Sequence, residues 1–551
     1  MKHLLLAIFL ISHLRVMGQD QDKTYPLIVV TTSNDTRGIS LQANEDGQLQ
    51  IKVSNEVIQK LKKKGYVQYS DLGAKADGKT DDMVAIAAAH ALANQENLPV
   101  RADKDAVYYI GGKARTAVIQ TDTDFGTAEF IIDDTEVEDR TKNVFDVTSV
   151  LKPYELAGIT SLRKNQKEID IPLPGPSLIT VTDSNVRRYI RFGPNQNNGS
   201  AQTDVFVVDK DGNVDMKAPI IWDFDQVTEI TAIPIDSATL TIRGGKFTTI
   251  ANQAESKYTY YGRGISIRRS NVLLDGLEHH ITGEGEHGAP YSGFLNIRDC
   301  SDITVRNTVL TGHKTYRTIG SAGVPVSMGS YDISISRALN VTFEHCSQTN
   351  DINDPTYWGI MGSNFSKNLV LDHCSFSRFD AHMGVANATI RNSELGHMGV
   401  NAIGTGTFTI ENTTLYGRNL INLRPDYGST WEGDFIIRDC VFVPAGGRPA
   451  NASLFGGSNS GQHDFGYTTY MPERIVIENL HIDDSHHPEG YEGPAIFGNF
   501  NPQLTDESYQ EQYLHVRTKE VILKNVTTES GKELRLSDNP YLFKDTKVTV
   551  Q

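Results

Sequence analysis

From about residue 270 onward one five-residue pattern recurs, and it restricts the chain to a narrow class of folds. It reads Leu273–Leu277 (LLDGL), Thr304–Thr308 (TVRNT), Thr342–Cys346 (TFEHC), Val370–Cys374 (VLDHC), Thr389–Ser393 (TIRNS) and Thr409–Thr413 (TIENT). It closes with Ile436–Cys440 (IIRDC), Val476–Leu480 (VIENL) and Ile522–Val526 (ILKNV). Each copy is an apolar or β-branched pair, a charged residue, then Asn, His, Asp or Gly, then a small or apolar residue. Alternation over a few residues makes a short strand with one buried face. The fourth position suits a sharp turn, because Asn, Asp, His and Gly best tolerate a left-handed backbone. The copies at His373, Asn392 and Asn412 are 19 and 20 residues apart, and the other gaps run from 27 to 46. A coil of about 20 residues with loops inserted is a β-solenoid. The expected fold is all-β: a right-handed, single-stranded parallel β-helix with a short N-terminal capping helix and long loop insertions.

The pattern assigns structural slots to residues that would otherwise draw attention. Cys346, Cys374 and Cys440 fall in the inward slot shared with Thr308, Ser393 and Thr413, so they read as packed thiols. His345 and His373 fall in the turn slot shared with Asn307, Asn392 and Asn412. Four cysteines without a CxxC spacing make neither a disulfide framework nor a zinc site.

Upstream, Asp71-Leu72-Gly73-Ala74 leads through Asp77-Gly78 to Thr80-Asp81-Asp82 and then an alanine-rich run. Thr80 or Asp81 is the expected N-cap of a helix. This stretch resembles the D-x-G-A-x-x-D-G-x-T-D-D entry motif of the pectate-lyase-like superfamily. The resemblance implies a first coil and capping helix here, and a carbohydrate-active β-helix from about residue 65 to 530. Lyases, hydrolases, epimerases and tailspikes share that motif, so it leaves the reaction open.

The expected layout is a signal peptide over 1–18, a small β segment over 19–62, and a cap with early coils and insertions over 63–235. The main solenoid with the active groove follows over 236–530, and a C-terminal cap over 531–551. Lys2 and His3 before the apolar run Leu4–Ile11 motivate the leader, which implies a secreted or periplasmic protein. No later stretch is apolar for long enough to suggest membrane insertion. The net charge of −16 gives no sign of nucleic-acid binding. A monomer is expected.

A parallel β-helix offers its lateral face and the loops above it for function. At equivalent points of successive coils stand His313, Lys314, Tyr316 and Arg317; Asp351, Asp354, Tyr357 and Trp358; Arg378, Asp380 and His382; His397 and Asn401; then Arg418, Arg424, Tyr427 and Trp431. Between His313 and Arg424 there are eight Lys+Arg and eight Asp+Glu, a neutral stretch in an acidic chain, with five of the 16 histidines. Guanidinium forks beside aromatic rings suit an acidic polysaccharide. The substrate-binding set is therefore His313, Lys314, Tyr316, Arg317, Tyr357, Trp358, Arg378, Asn401, Arg418 and Trp431.

His-Met-Gly-Val occurs twice, at His382 and His397, 15 residues apart. Two histidines on one face can be a base with its partner, or metal ligands. The expected reaction is β-elimination on a uronic-acid polysaccharide of glycosaminoglycan, pectin or alginate type. Arg424 would neutralise the carboxylate, His382 or His397 would take the C5 proton, and Tyr427 would protonate the leaving oxygen. No cofactor is required, although calcium, with Asp351, Asp354 and Asp380 as candidate ligands, is compatible. The alternatives are a glycoside hydrolase or epimerase, which would draw on the same aspartates, and a non-catalytic carbohydrate-binding adhesin.

Overall fold

A computed structural model describes residues 29–33, 39–43, 49–255 and 260–551. The leader expected over 1–18 lies outside the described residues. The chain forms two compact units, 1–60 and 61–551. In the first, Leu49–Ser54 pairs in parallel with Val29–Ser33 and antiparallel with Ile39–Ala43.

The second unit is the expected parallel β-helix. Its registers run without a break through three sheets. In the first sheet Phe145, Ile265, Leu295, Ile333 and Met361 are successive neighbours, and further on so are Phe379, Val400, Ile421, Phe455 and Phe497. In the second, Val272 is followed by Ile303, Val341, Leu369, Ala388, Phe408, Phe435, Ile475, Val521 and Val548. The third runs from Glu278 through Val309, Ser347, Ser375, Glu394, Thr414 and Val441 to His481 and Thr527. Most of the residues so stacked in the first two sheets are fully buried.

Between the second and third sheets every coil turns on the residue the repeat marks. Asn307, His345, His373, Asn392, Asn412, Asp439, Asn479 and Asn525 all have φ between 44 and 54°. Their side chains hydrogen-bond from coil to coil, as from Asn412 Nδ2 to Asn392 Oδ1 (2.9 Å) and from Asn525 Nδ2 to Asn479 Oδ1 (3.0 Å). His345 and His373 stack at 4.6 Å in this ladder. Cys346, Cys374 and Cys440 are buried and unbridged, as the inward slot requires.

The helix Met83–Glu96 lays its buried alanines and Leu92 on the first coil. Its N-cap is Asp82 rather than Thr80 or Asp81, and the Asp82 carboxylate turns back to accept from the N–H groups of Lys75 (2.6 Å) and Ala76 (2.9 Å). Among the described residues no helix is long and apolar enough to cross a membrane.

One element departs from the coil pattern. Between Phe145–Thr148 and Leu240–Ile250 the chain leaves the solenoid and builds a four-stranded sheet from Tyr154–Glu155, Ser177–Arg188, Ser200–Val208 and Glu229–Pro234. Its pairings are all antiparallel. One face has its own core around Ile179, Val181, Phe206 and Phe224. The other face sets Leu178 and Val205 against Leu339 of the solenoid. Lys367 of the solenoid reaches across to Asp204 at 2.8 Å, with both side chains 2% exposed, and donates to the Pro219 carbonyl.

Candidate active site on the first sheet

Strand alternation sends Phe379, Val400 and Ile421 into the coil interior and leaves Asp380, Asn401 and Asn422 on the opposite face. On that face the inserted sheet adds a roof. The hairpin between Ser177–Arg188 and Ser200–Val208 descends onto the solenoid, where Phe192 N–H donates to the Asp426 carbonyl and Ile190 N–H to that of Phe465. Tyr189 at its base has φ 56°, an unusual conformation for a bulky residue. Its hydroxyl rests over Gly384 (φ 86°), where any Cβ would stand 2.1 Å from the tyrosine oxygen.

Under the roof lies an alternating charge cluster. Asp380, fully buried, accepts from Arg424 Nη1 (2.9 Å), Arg378 Nη2 (2.7 Å) and Tyr331 Oη (2.6 Å). Arg424 also reaches Asp426 through Nε (2.9 Å) and Nη2 (2.7 Å), and Arg191 of the hairpin donates to the same carboxylate (2.7 Å). Burial alone would raise the pKa of both carboxyls, but the guanidinium partners win and hold both well below the ordinary range. Three guanidiniums thus face two carboxylates, one positive charge in excess.

His382 borders this cluster, its ring 6.0 Å from that of Tyr427. Its Nδ1 lies 3.1 Å from Asn364 Oδ1, an acceptor, so the proton sits on Nδ1 and Nε2 carries the free lone pair. Burial, then the Arg424 charge, pull its pKa down to about 4, so the ring is neutral at pH 7. Arg191 and Arg424 lie over the Tyr427 ring at 5.4 and 5.1 Å. Burial pushes the Tyr427 phenol up, so it keeps its proton.

Three of the four expected catalytic residues therefore meet: His382, Arg424 and Tyr427. His397 does not join them. It precedes Asn401 by four residues while His382 follows Asp380, the register partner of Asn401, by two, so the two histidines are offset along the strands. His397 Nδ1 donates instead to the Ile352 carbonyl at 3.0 Å.

Several expected sugar contacts are structural. The Trp431 indole is fully buried between Phe408 and Phe435 and donates to the Gly406 carbonyl (3.0 Å), because its strand position faces inward. Asn401 is buried and joins the coils by accepting from Asn422 (2.7 Å). Arg378 is buried, its guanidinium 5.1 Å from the Trp358 ring and its charge spent on Asp380. Tyr357 and Lys314 join two loops through a backbone bridge, while Arg317 and Arg418 are exposed. Tyr316 is buried in the wall of a separate cavity. Asp351 and Asp354 cap turns at Asn353 and Thr356, and the three partners of Asp380 occupy its carboxylate. Among the described residues no group of His, Cys, Asp or Glu is arranged to hold a metal ion, so these three aspartates do not form the expected calcium set.

His313 is also interior. Its two ring nitrogens face Glu284 (3.3 Å) and Asp332 (3.2 Å). Burial would lower its pKa, but these two carboxylates outweigh burial and raise it to about 9. A group raised above its unfolded value of about 6.5 stabilises fully below that pH and loses this contribution as pH rises to 9. The melting temperature of the wild type should accordingly fall between pH 6.5 and 9. His313→Gln should show a shallower alkaline decline, and parallel profiles would refute the assignment.

No protein-family model matches the chain. Among solved structures it resembles the tailspike of Pseudomonas phage phi297, with TM-score 0.52 and 13% identity over 88% of this chain and 84% of that one. It likewise resembles the tailspike of Acinetobacter baumannii bacteriophage AP22, solved with a capsular saccharide, with TM-score 0.51 and 12% identity over 92% and 81%. Phage tailspikes share this fold. A capsule KL64-specific depolymerase of Klebsiella phage P510 is 26% identical over 182 residues, which is 28% of this chain and 17% of that protein.

The sequence reading missed Arg191 and Tyr189, because they come from the insertion and not from the repeat. A signal was present in Arg187-Arg188-Tyr189-Ile190-Arg191, a basic and aromatic run at the tip of an alternating strand.

Proposed function

We propose that this chain is a polysaccharide-degrading enzyme that cleaves a uronic-acid polymer by β-elimination on the roofed face of the first sheet. The observation that carries the proposal is a neutral histidine with a free Nε2 beside a guanidinium cluster of excess positive charge. In this reading Arg191 and Arg424 draw in and neutralise the uronate carboxylate, which acidifies the C5 proton. His382 Nε2 takes that proton as the C4–C5 double bond forms and the C4–O4 bond breaks, and Tyr427 delivers a proton to O4. The tailspike and depolymerase resemblances support a polysaccharide as the substrate, and the motif from Asp71 to Asp82 supports a pectate-lyase-like origin. Export by the 1–18 leader and action as a monomer belong to the same proposal.

Elimination is favoured over hydrolysis by the state of the carboxyls. A glycosidase needs one protonated and one ionised carboxyl, whereas Asp380 and Asp426 are both held ionised by arginine. The test is incubation with pectins, alginates, glycosaminoglycans and bacterial capsular polysaccharides, following absorbance near 235 nm. A rise is expected with a uronate-containing polymer. New reducing ends without that absorbance would replace elimination by hydrolysis, and binding without cleavage would leave an adhesin.

A further inference from the structure

A second concave site lies toward the N-terminal coils and takes no part in the elimination chemistry. The loops that follow Ile250, Thr282 and Leu310 enclose a cavity of about 290 Å³, near the lower end of the range for small-molecule pockets. Glu255, Glu284 and Glu286 line it together with Arg317, and the buried Tyr316 forms part of its wall. Glu284 is fixed in place: its carboxylate is 5% exposed and accepts from the N–H groups of Ala289 (2.9 Å) and Lys314 (3.0 Å) and from His313.

The electrostatics of this cavity are the reverse of those under the roof. Three carboxylates stand against Arg317 and the neighbouring Lys314, whose ammonium holds the Gly285 carbonyl at 2.7 Å. One negative charge is in excess. Such a lining accepts hydrogen bonds from sugar hydroxyls and repels a uronate. The loops belong to the coils of Ile265, Leu295 and Ile333, and the arginine cluster begins about three coils further on, at Phe379. At about 4.8 Å per strand that is on the order of 15 Å, within reach of one extended oligosaccharide.

We infer that this cavity is a second saccharide site, taking a non-acidic pyranose of the same polymer whose uronate is cleaved under the roof. The inference rests on the polysaccharide reading, and it requires a polymer that carries both acidic and non-acidic sugars. It acts on affinity for long chains and leaves the chemical step alone.

Two measurements on the full chain test it. Saturation-transfer NMR with methyl glucoside and, separately, glucuronate should give a glucoside signal that disappears in a Glu255→Lys/Glu286→Lys variant, while the glucuronate signal persists. In cleavage assays the same variant should raise KM for long polymer about tenfold with kcat unchanged, and leave short acidic oligosaccharides unaffected. An absent or unchanged glucoside signal, or an unaltered KM, would overturn the second site while elimination stood. If no polymer is cleaved, the elimination reading fails and the NMR result alone decides the cavity. Glu284 stays intact in these variants, because its loss would strip buried His313 of a partner.

Discussion

His382→Ala should lower kcat/KM for elimination by about 10²–10⁴-fold, the usual worth of a positioned general base, with little change in unfolding midpoint. The ring is part-exposed and its one hydrogen bond, to Asn364, contributes about 1 kcal/mol. In the wild type kcat/KM should hold constant through neutral pH on its acid side and fall only as pH drops through about 4, where the His382 ring takes up a proton. An acid limb near 6.5, or a variant with near-normal activity, would remove His382 from the base role. Arg424 is a poorer probe. Its truncation leaves Asp380, 0% exposed, short of one of its two cationic partners, so lost activity would be mixed with lost stability.

Lys367→Met should destabilise the protein by about 3–5 kcal/mol, the cost of leaving one partner of a buried ion pair alone. Burial pulls the Lys367 pKa down and Asp204 opposes it, so the ammonium depends on that carboxylate for its charge. With the lysine gone, Asp204 retains only the Val205 and Ile221 N–H groups (2.8 and 2.9 Å) as donors. A Lys367→Met/Asp204→Leu double variant should recover part of the loss, because the pair would leave together. Chemical denaturation with a fluorescence readout measures both, and a single variant within 1 kcal/mol of wild type would show that the joint is held by Leu178, Val205 and Leu339 alone.

The coils were legible in the sequence because each carries its own turn. A left-handed residue is required at the same point every time, and only a few residue types satisfy it, so Asn307 through Asn525 mark the period directly. The insertion was not legible. Antiparallel strands alternate just as solenoid strands do, and Ser177–Arg188 and Ser200–Val208 lack only the turn mark. At the site, residue type identified His382, Arg424 and Tyr427, because each lies in the coils whose frame was known. The same reasoning misplaced Trp431 and Asn401, whose inward or outward direction depends on strand phase near bulges that the spacing does not reveal. Arg191 was out of reach because its partner, Asp426, stands 235 positions later in the chain.

That separation bears on when the protein becomes competent during its own formation. Winding a solenoid needs only neighbour-to-neighbour contacts, each coil templating the next. The Arg191–Asp426 bond instead closes a long loop, whose ends meet only after every intervening coil is in place. A chain interrupted anywhere before Asp426 can be largely wound and still be inert. Turnover is therefore a proofreading signal for complete synthesis, since an unfinished copy has the scaffold without the clasp.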